Sequence, residues 1–184
     1  PGLNGDLRFV HCNDVNCVGE TGNVITLDGT GATNCASYDT SRCDSGDVAW
    51  YNRIKLDSSD YPVISYRSHA AGDLKVIHCN DANCSNDGST QSTYESMERV
   101  DGCTGCNTDG NSQSTGVGGY TGLVLDSSGY PVVSYREVGG SEDLKVVHCG
   151  NANCDYDGSG QVNPTNNQRA ESMEFTPNLT GGAT

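Results

Sequence analysis

HCNDVNC at His11–Cys17 returns as HCNDANC at His78–Cys84 and as HCGNANC at His148–Cys154, each time behind a short apolar run that opens Asp-Leu. The copies lie 67 and 70 residues apart, so the chain is one supersecondary unit repeated. Within each unit the run alternates. In Asp73-Leu74-Lys75-Val76-Ile77-His78-Cys79, a strand points Leu, Val and His to one side and Lys, Ile and Cys to the other. Apolar residues on both sides predict a strand covered on both faces. The equivalents are Asp6–Cys12 and Asp143–Cys149.

Three further segments surround this one. Upstream lie Arg53–Leu56 and Gly122–Leu125, each running into Asp57-Ser58-Ser59-Asp60 or Asp126-Ser127-Ser128-Gly129, residue types that favour a tight hairpin. The return strands are Tyr61–Arg67 and Tyr130–Arg136, with proline tolerated at the strand start because its missing N–H is not needed there. Downstream lie Val24–Leu27, Glu95–Glu98 and Glu171–Glu174. Four strands per unit, with only the last two in the first unit, predict two and a half units: a half unit 1–47, units 48–117 and 118–176, and a polar tail 177–184. The open sheet edge of a half unit invites pairing with another chain.

The pattern Leu-Asp-Ser-Ser-Gly-Tyr-Pro-Val-Val-Ser-Tyr-Arg at Leu125–Arg136, followed by Asp143–Cys154, resembles the β-propeller-type repeats of large secreted and surface-anchored bacterial proteins; Leu56–Arg67 with Asp73–Cys84, and Asp6–Cys17, carry the same pattern. The resemblance implies an all-β fold of tandem four-stranded antiparallel blades packed face to face. It says little about activity, since one fold hosts many functions.

Composition agrees with short strands and turn-rich loops: 34% of residues are hydrophobic and 24 are glycine. The formal net charge of −14 argues against nucleic-acid and anionic-membrane partners. No apolar run approaches the roughly 20 residues of a membrane-spanning helix, so membrane insertion is not expected. Ten cysteines at regular local spacing read as a disulfide framework laid down in an oxidising, extracellular or cell-surface setting. Five short-range bridges are expected: Cys12–Cys17, Cys35–Cys43, Cys79–Cys84, Cys103–Cys106 and Cys149–Cys154. The start at Pro1 reads as a mature secreted chain or a piece of a longer one.

His11, His78 and His148 precede cysteines, but neighbouring strand residues point apart, so a structural role is expected over zinc ligation. Cys103-Thr104-Gly105-Cys106 is followed by Asn107 and not by the His of covalent haem attachment. Asp155 and Asp157 sit in an acidic turn that is a weak calcium candidate, without the full carboxylate set of a calcium loop; no other cofactor is expected. Arg67 and Arg136 recur after the return strand and are expected to pair with Asp57 and Asp126 or with neighbouring loops. Trp50, Tyr51 and Tyr120 are candidates for stacking on sugar rings, and Asn178 in Asn178-Leu179-Thr180 for glycosylation. No nucleophile–base set or phosphate loop is present. The expectation is a non-enzymatic extracellular structural protein that assembles with copies of itself into a ring, tube or filament; the alternative is a carbohydrate-binding lectin or adhesin module.

Overall fold

The structure, a computed structural model, describes residues 5–19, 24–30, 44, 46–84, 94–101, 116–138, 142–154 and 168–171. Ten strands appear in this order: β1 (Leu7–Phe9), β2 (Ile25–Asp28), β3 (Trp50–Leu56), β4 (Pro62–Ser68), β5 (Asp73–Cys79), β6 (Tyr94–Asp101), β7 (Gly119–Leu125), β8 (Pro131–Arg136), β9 (Leu144–His148) and β10 (Gln168–Glu171). Among the described residues there is no helix. The strands form three antiparallel sheets, β1-β2, β3-β4-β5-β6 and β7-β8-β9-β10, which we number 1 to 3 in chain order.

Each hairpin turn is built by one aspartate. Asp57 Oδ1 accepts the N–H groups of Ser59 at 2.8 Å and Tyr61 at 2.9 Å, while its own N–H donates to the Tyr61 carbonyl. Asp126 does the same with Ser128 and Tyr130. The last turn residue takes the left-handed conformation, φ 63° at Asp60 and 81° at Gly129. Aspartate tolerates it and glycine adopts it freely, which is why these residue types stand there.

Two cores hold the sheets together. One packs Leu7 and Leu27 of sheet 1 against Ile64, Tyr66, Ile77 and Met97 of sheet 2; the other packs Val63, Leu74 and Val76 of sheet 2 against Leu123, Val133, Tyr135 and Val147 of sheet 3. Sheet 2 is therefore a filling between two layers, and every residue of β4 and β5 is buried. In β8 burial alternates strictly, buried on the side of sheet 2 and half-exposed on the other.

Several strand boundaries differ from the sequence reading. β3 and β7 start three residues earlier than Arg53 and Gly122, through a bulge at Tyr51 and Tyr120, both with positive φ; a bulge breaks the period of two on which the reading relied. In sheet 1 the first strand spans Leu7–Phe9 and not Asp6–Cys12, and among the described residues it pairs with β2 alone. In sheet 3 the last described strand is Gln168–Glu171, with Gln168 opposite His148 where the repeat places Ser172; the rest of the expected Glu171–Glu174 lies outside the described residues. A slide of an even number of residues leaves every side chain on its original face, so alternation alone cannot fix it.

Candidate functional site

The recurring His-Cys motif is a device for joining one sheet to the next. The short loop after each His-Cys pair is closed by a disulfide, Cys12–Cys17, Cys79–Cys84 or Cys149–Cys154. Inside it, the N–H of Asn16 donates to Asp14 Oδ1 at 2.7 Å, that of Asn83 to Asp81 Oδ1 at 2.6 Å, and that of Asn153 to Asn151 Oδ1 at 2.9 Å. The second cysteine takes φ of 53°, 48° and 54° in the three copies. The loop is thus one rigid turn made three times, with the Asn side chain left over.

That side chain reaches across the junction. His11 Nδ1 lies 2.8 Å from Asn83 Oδ1, and His78 Nδ1 lies 2.7 Å from Asn153 Oδ1. The other ring nitrogen is anchored within its own sheet: His78 Nε2 is 3.0 Å from Asp57 Oδ2 and His148 Nε2 is 2.8 Å from Asp126 Oδ2. One aspartate therefore holds the hairpin turn with one oxygen and aims the histidine with the other. Burial pushes the Asp57 carboxyl upward, but bonds from the Tyr61 N–H, His78 and the Ser59 N–H outweigh it and hold its pKa below the ordinary value. The Tyr130 N–H, followed by His148, lowers that of Asp126.

A second bond set crosses at the far end of the sheets. Asp28, fully buried at the end of β2, accepts from the Tyr66 hydroxyl at 2.7 Å and pairs with Lys75 Nζ at 2.8 Å; Lys75 also lies 2.7 Å from Asp44. At the next junction Asp101 accepts from the Tyr135 hydroxyl at 2.7 Å, while Lys145 turns to Glu137 at 3.7 Å. Backbone bonds repeat as well, Val48 N–H to the Gly5 carbonyl and Val117 N–H to that of Gly72. The chain enters sheet 3 so tightly that a Cβ on Gly118, φ +80°, would stand 3.1 Å from the Leu74 backbone. The sequence showed these residues as repeats; that each bond links different units, 72 and 75 positions apart for the two His–Asn contacts, is visible only in the fold.

The expected pairing of Arg67 and Arg136 with Asp57 and Asp126 is not found. Those aspartates serve their turns and the histidines, Arg136 is 2.5 Å from Glu142, and Arg67 is buried in the face of sheet 2 that meets sheet 3. The strand puts Arg67 opposite Leu74, at the far end of the face from His78, beyond reach of Asp57.

The three aromatic candidates do come together. Tyr51 and Tyr120 rings lie 4.4 Å apart across the junction of sheets 2 and 3, Trp50 meets Tyr51 edge-on at 6.0 Å, and Trp50 stacks on His69 at 4.0 Å. The hydrogen bond to Tyr120, then burial, raises the Tyr51 pKa. Trp50 and Tyr120 keep exposed surface. Among the described residues no group of His, Cys, Asp or Glu is placed to hold a metal ion. Asp155, Asp157, Asn178, Cys35, Cys43, Cys103 and Cys106 lie outside the described residues.

Comparison with family models, curated proteins and solved structures finds no match.

Proposed function

We propose that this is a non-enzymatic extracellular structural protein whose copies assemble with one another by repeating the sheet-on-sheet packing seen within the chain. One observation carries the reading. Leu74, on the face of sheet 2 covered by sheet 3, is 0% exposed, whereas its counterpart Leu144, on the same face of sheet 3, is 51% exposed. On the same face Val146, two residues beyond Leu144, and Val132, opposite His148, are half-exposed counterparts of the fully buried Val76 and Val63. Val132 and Val146, with Val124, Ser134 and part of β3, an edge strand of sheet 2, line an open groove of about 430 Å³; Leu144 is not part of its wall. A face built to be covered, left bare, is an interaction surface. Three disulfides fit an oxidising compartment, and hence a secreted or cell-surface product. In the resemblance to propeller repeats, each sheet is a blade and assembly continues the array.

The test is the mass of the oxidised protein in solution against concentration. Growth with concentration supports the reading, and one mass of 19.3 kDa throughout the range contradicts it.

The aromatic row supports a second reading, a carbohydrate-binding module in which Trp50 and Tyr120 stack on sugar rings. Glycan-array binding abolished by Tyr120→Ala, with assembly unchanged, would favour it; an array without signal would remove it.

A further inference from the structure

Resting on the self-assembly reading, we propose that copies join head to tail, with His148 of one copy bonded through Nδ1 to the side chain of Asn16 in the next. Among the described residues neither His148 Nδ1 nor the Asn16 side chain has a partner, and each stands in the geometry of its paired counterparts. Asp126 holds His148 Nε2 at 2.8 Å as Asp57 holds that of His78 at 3.0 Å, so the two rings are anchored alike. The His78 side chain, engaged with Asn153, is 5% exposed and that of His148 43%; His11 is exposed too although bonded to Asn83, so the open Nδ1 and not exposure marks the free half. Asn16 sits in a loop with the same disulfide, the same N–H bond and the same positive φ at its second cysteine as Asn83 and Asn153. Those two receive a histidine from the preceding sheet; the Asn16 side chain has no bond among the described residues.

The surroundings match too. In sheet 2, the face turned toward the preceding sheet carries Lys75 and Ile77, both 0% exposed. The counterparts are Arg8 of β1 and Val10 just after it, both exposed, and Val15, beside Asn16, is 98% exposed. One copy therefore offers Val132, Leu144, Val146 and His148; the other offers Val10 where the internal junctions have Ile77 and Val147, Val15 where they have Ala82 and Ala152, and Asn16 where they have Asn83 and Asn153. A twofold joint would oppose two like faces and leave either both His148 or both Asn16 side chains without a partner. The joint is heterologous, and it gives a ring if the rotation closes and a filament if it does not.

The test uses two blocking variants of the full chain, Leu144→Lys and Val10→Lys, both at exposed positions. Each retains one good face. Each alone should stay at the mass of one chain by light scattering, and an equimolar mixture should give a species of two chains and nothing larger, which also shows that both variants fold. His148→Ala and Asn16→Ala should each weaken association about fivefold, the worth of one hydrogen bond, and the double variant no more than either. Wild-type assembly that survives Val10→Lys but not Leu144→Lys would overturn the head-to-tail joint while leaving self-assembly in place, as would a mixture that stays monomeric. A wild-type chain that never assembles would instead remove the reading on which the joint rests.

Discussion

Leu74 and Leu144 hold the same position in two copies of one unit, and the structure gives them opposite environments, 0% and 51% exposed. Replacing each by alanine compares the two faces with the chemistry held constant. At Leu74 the change removes buried methyl groups from a core formed with Leu123, Val133 and Tyr135 and leaves a cavity, at a cost of about 3 kcal/mol. For a chain of this size roughly 2–4 °C is lost per kcal/mol, so Leu74→Ala should melt about 6–12 °C lower. Leu144→Ala should change the stability of the dilute monomer by no more than about 0.5 kcal/mol, because its side chain already meets water. As the concentration rises the two variants should part differently from wild type: Leu144→Ala should weaken association while Leu74→Ala leaves it unchanged at temperatures where it is folded. Thermal melts by circular dichroism at low concentration, paired with light scattering at high concentration, read both effects. Equal destabilisation of the dilute chain by the two substitutions would show that the face of sheet 3 is covered in the monomer, and the reasoning from its exposure would fail.

Other consequences follow from the junction bonds. Asp28→Ala removes a counter-ion of the buried Lys75 and an acceptor of the Tyr66 hydroxyl, so it should cost about 3 kcal/mol or more in urea unfolding; a loss under about 1 kcal/mol would mean water reaches that site. Asp57 and Asp126 titrate below the unfolded carboxylate value, so in acid the unfolded chain binds more protons; their contribution is complete above about pH 4 and fades as pH falls through their folded values. Asp57→Asn should flatten the acid limb of a stability–pH curve, and an unaltered limb would show that the bonds from the Tyr61 N–H, His78 and the Ser59 N–H together do not favour the Asp57 carboxylate in the folded chain. Replacing Cys79 and Cys84 together by alanine should cost about 2 kcal/mol in the chain-entropy view, since the loop they close is short. Tm of the oxidised variant against wild type checks this, and an unchanged Tm would indicate that the turn bonds alone fix the loop.

The sequence carried the strands and the turns because both have local causes. Alternation in Asp73–Cys79 and the Asp-Ser-Ser turns are short-range patterns, and the three His-Cys loops declare their disulfides by spacing. It failed where the decision is made at a distance. The bulges at Tyr51 and Tyr120 have no local marker beyond their place before the strand, and the Gln168–Glu171 register leaves faces unchanged and so leaves no trace in the pattern. The histidines were readable as structural from their strand face, yet their partners were not. Asp57 lies 21 residues before His78 and Asn153 75 after it, and only the stacking of sheets brings all three together. Repetition marked Arg67 and Arg136 as structural, and of the two expected partner sets the neighbouring loop holds for Arg136, which meets Glu142, while strand register separates Arg67 from Asp57.

Self-assembly is the central claim, and sedimentation velocity of the oxidised wild-type chain over a hundredfold range of concentration tests it most directly, with electron microscopy of the top concentration. The account predicts a mass that climbs from 19.3 kDa with concentration and regular rings or filaments on the grid. A single species of one chain at every concentration, with nothing ordered on the grid, would contradict it.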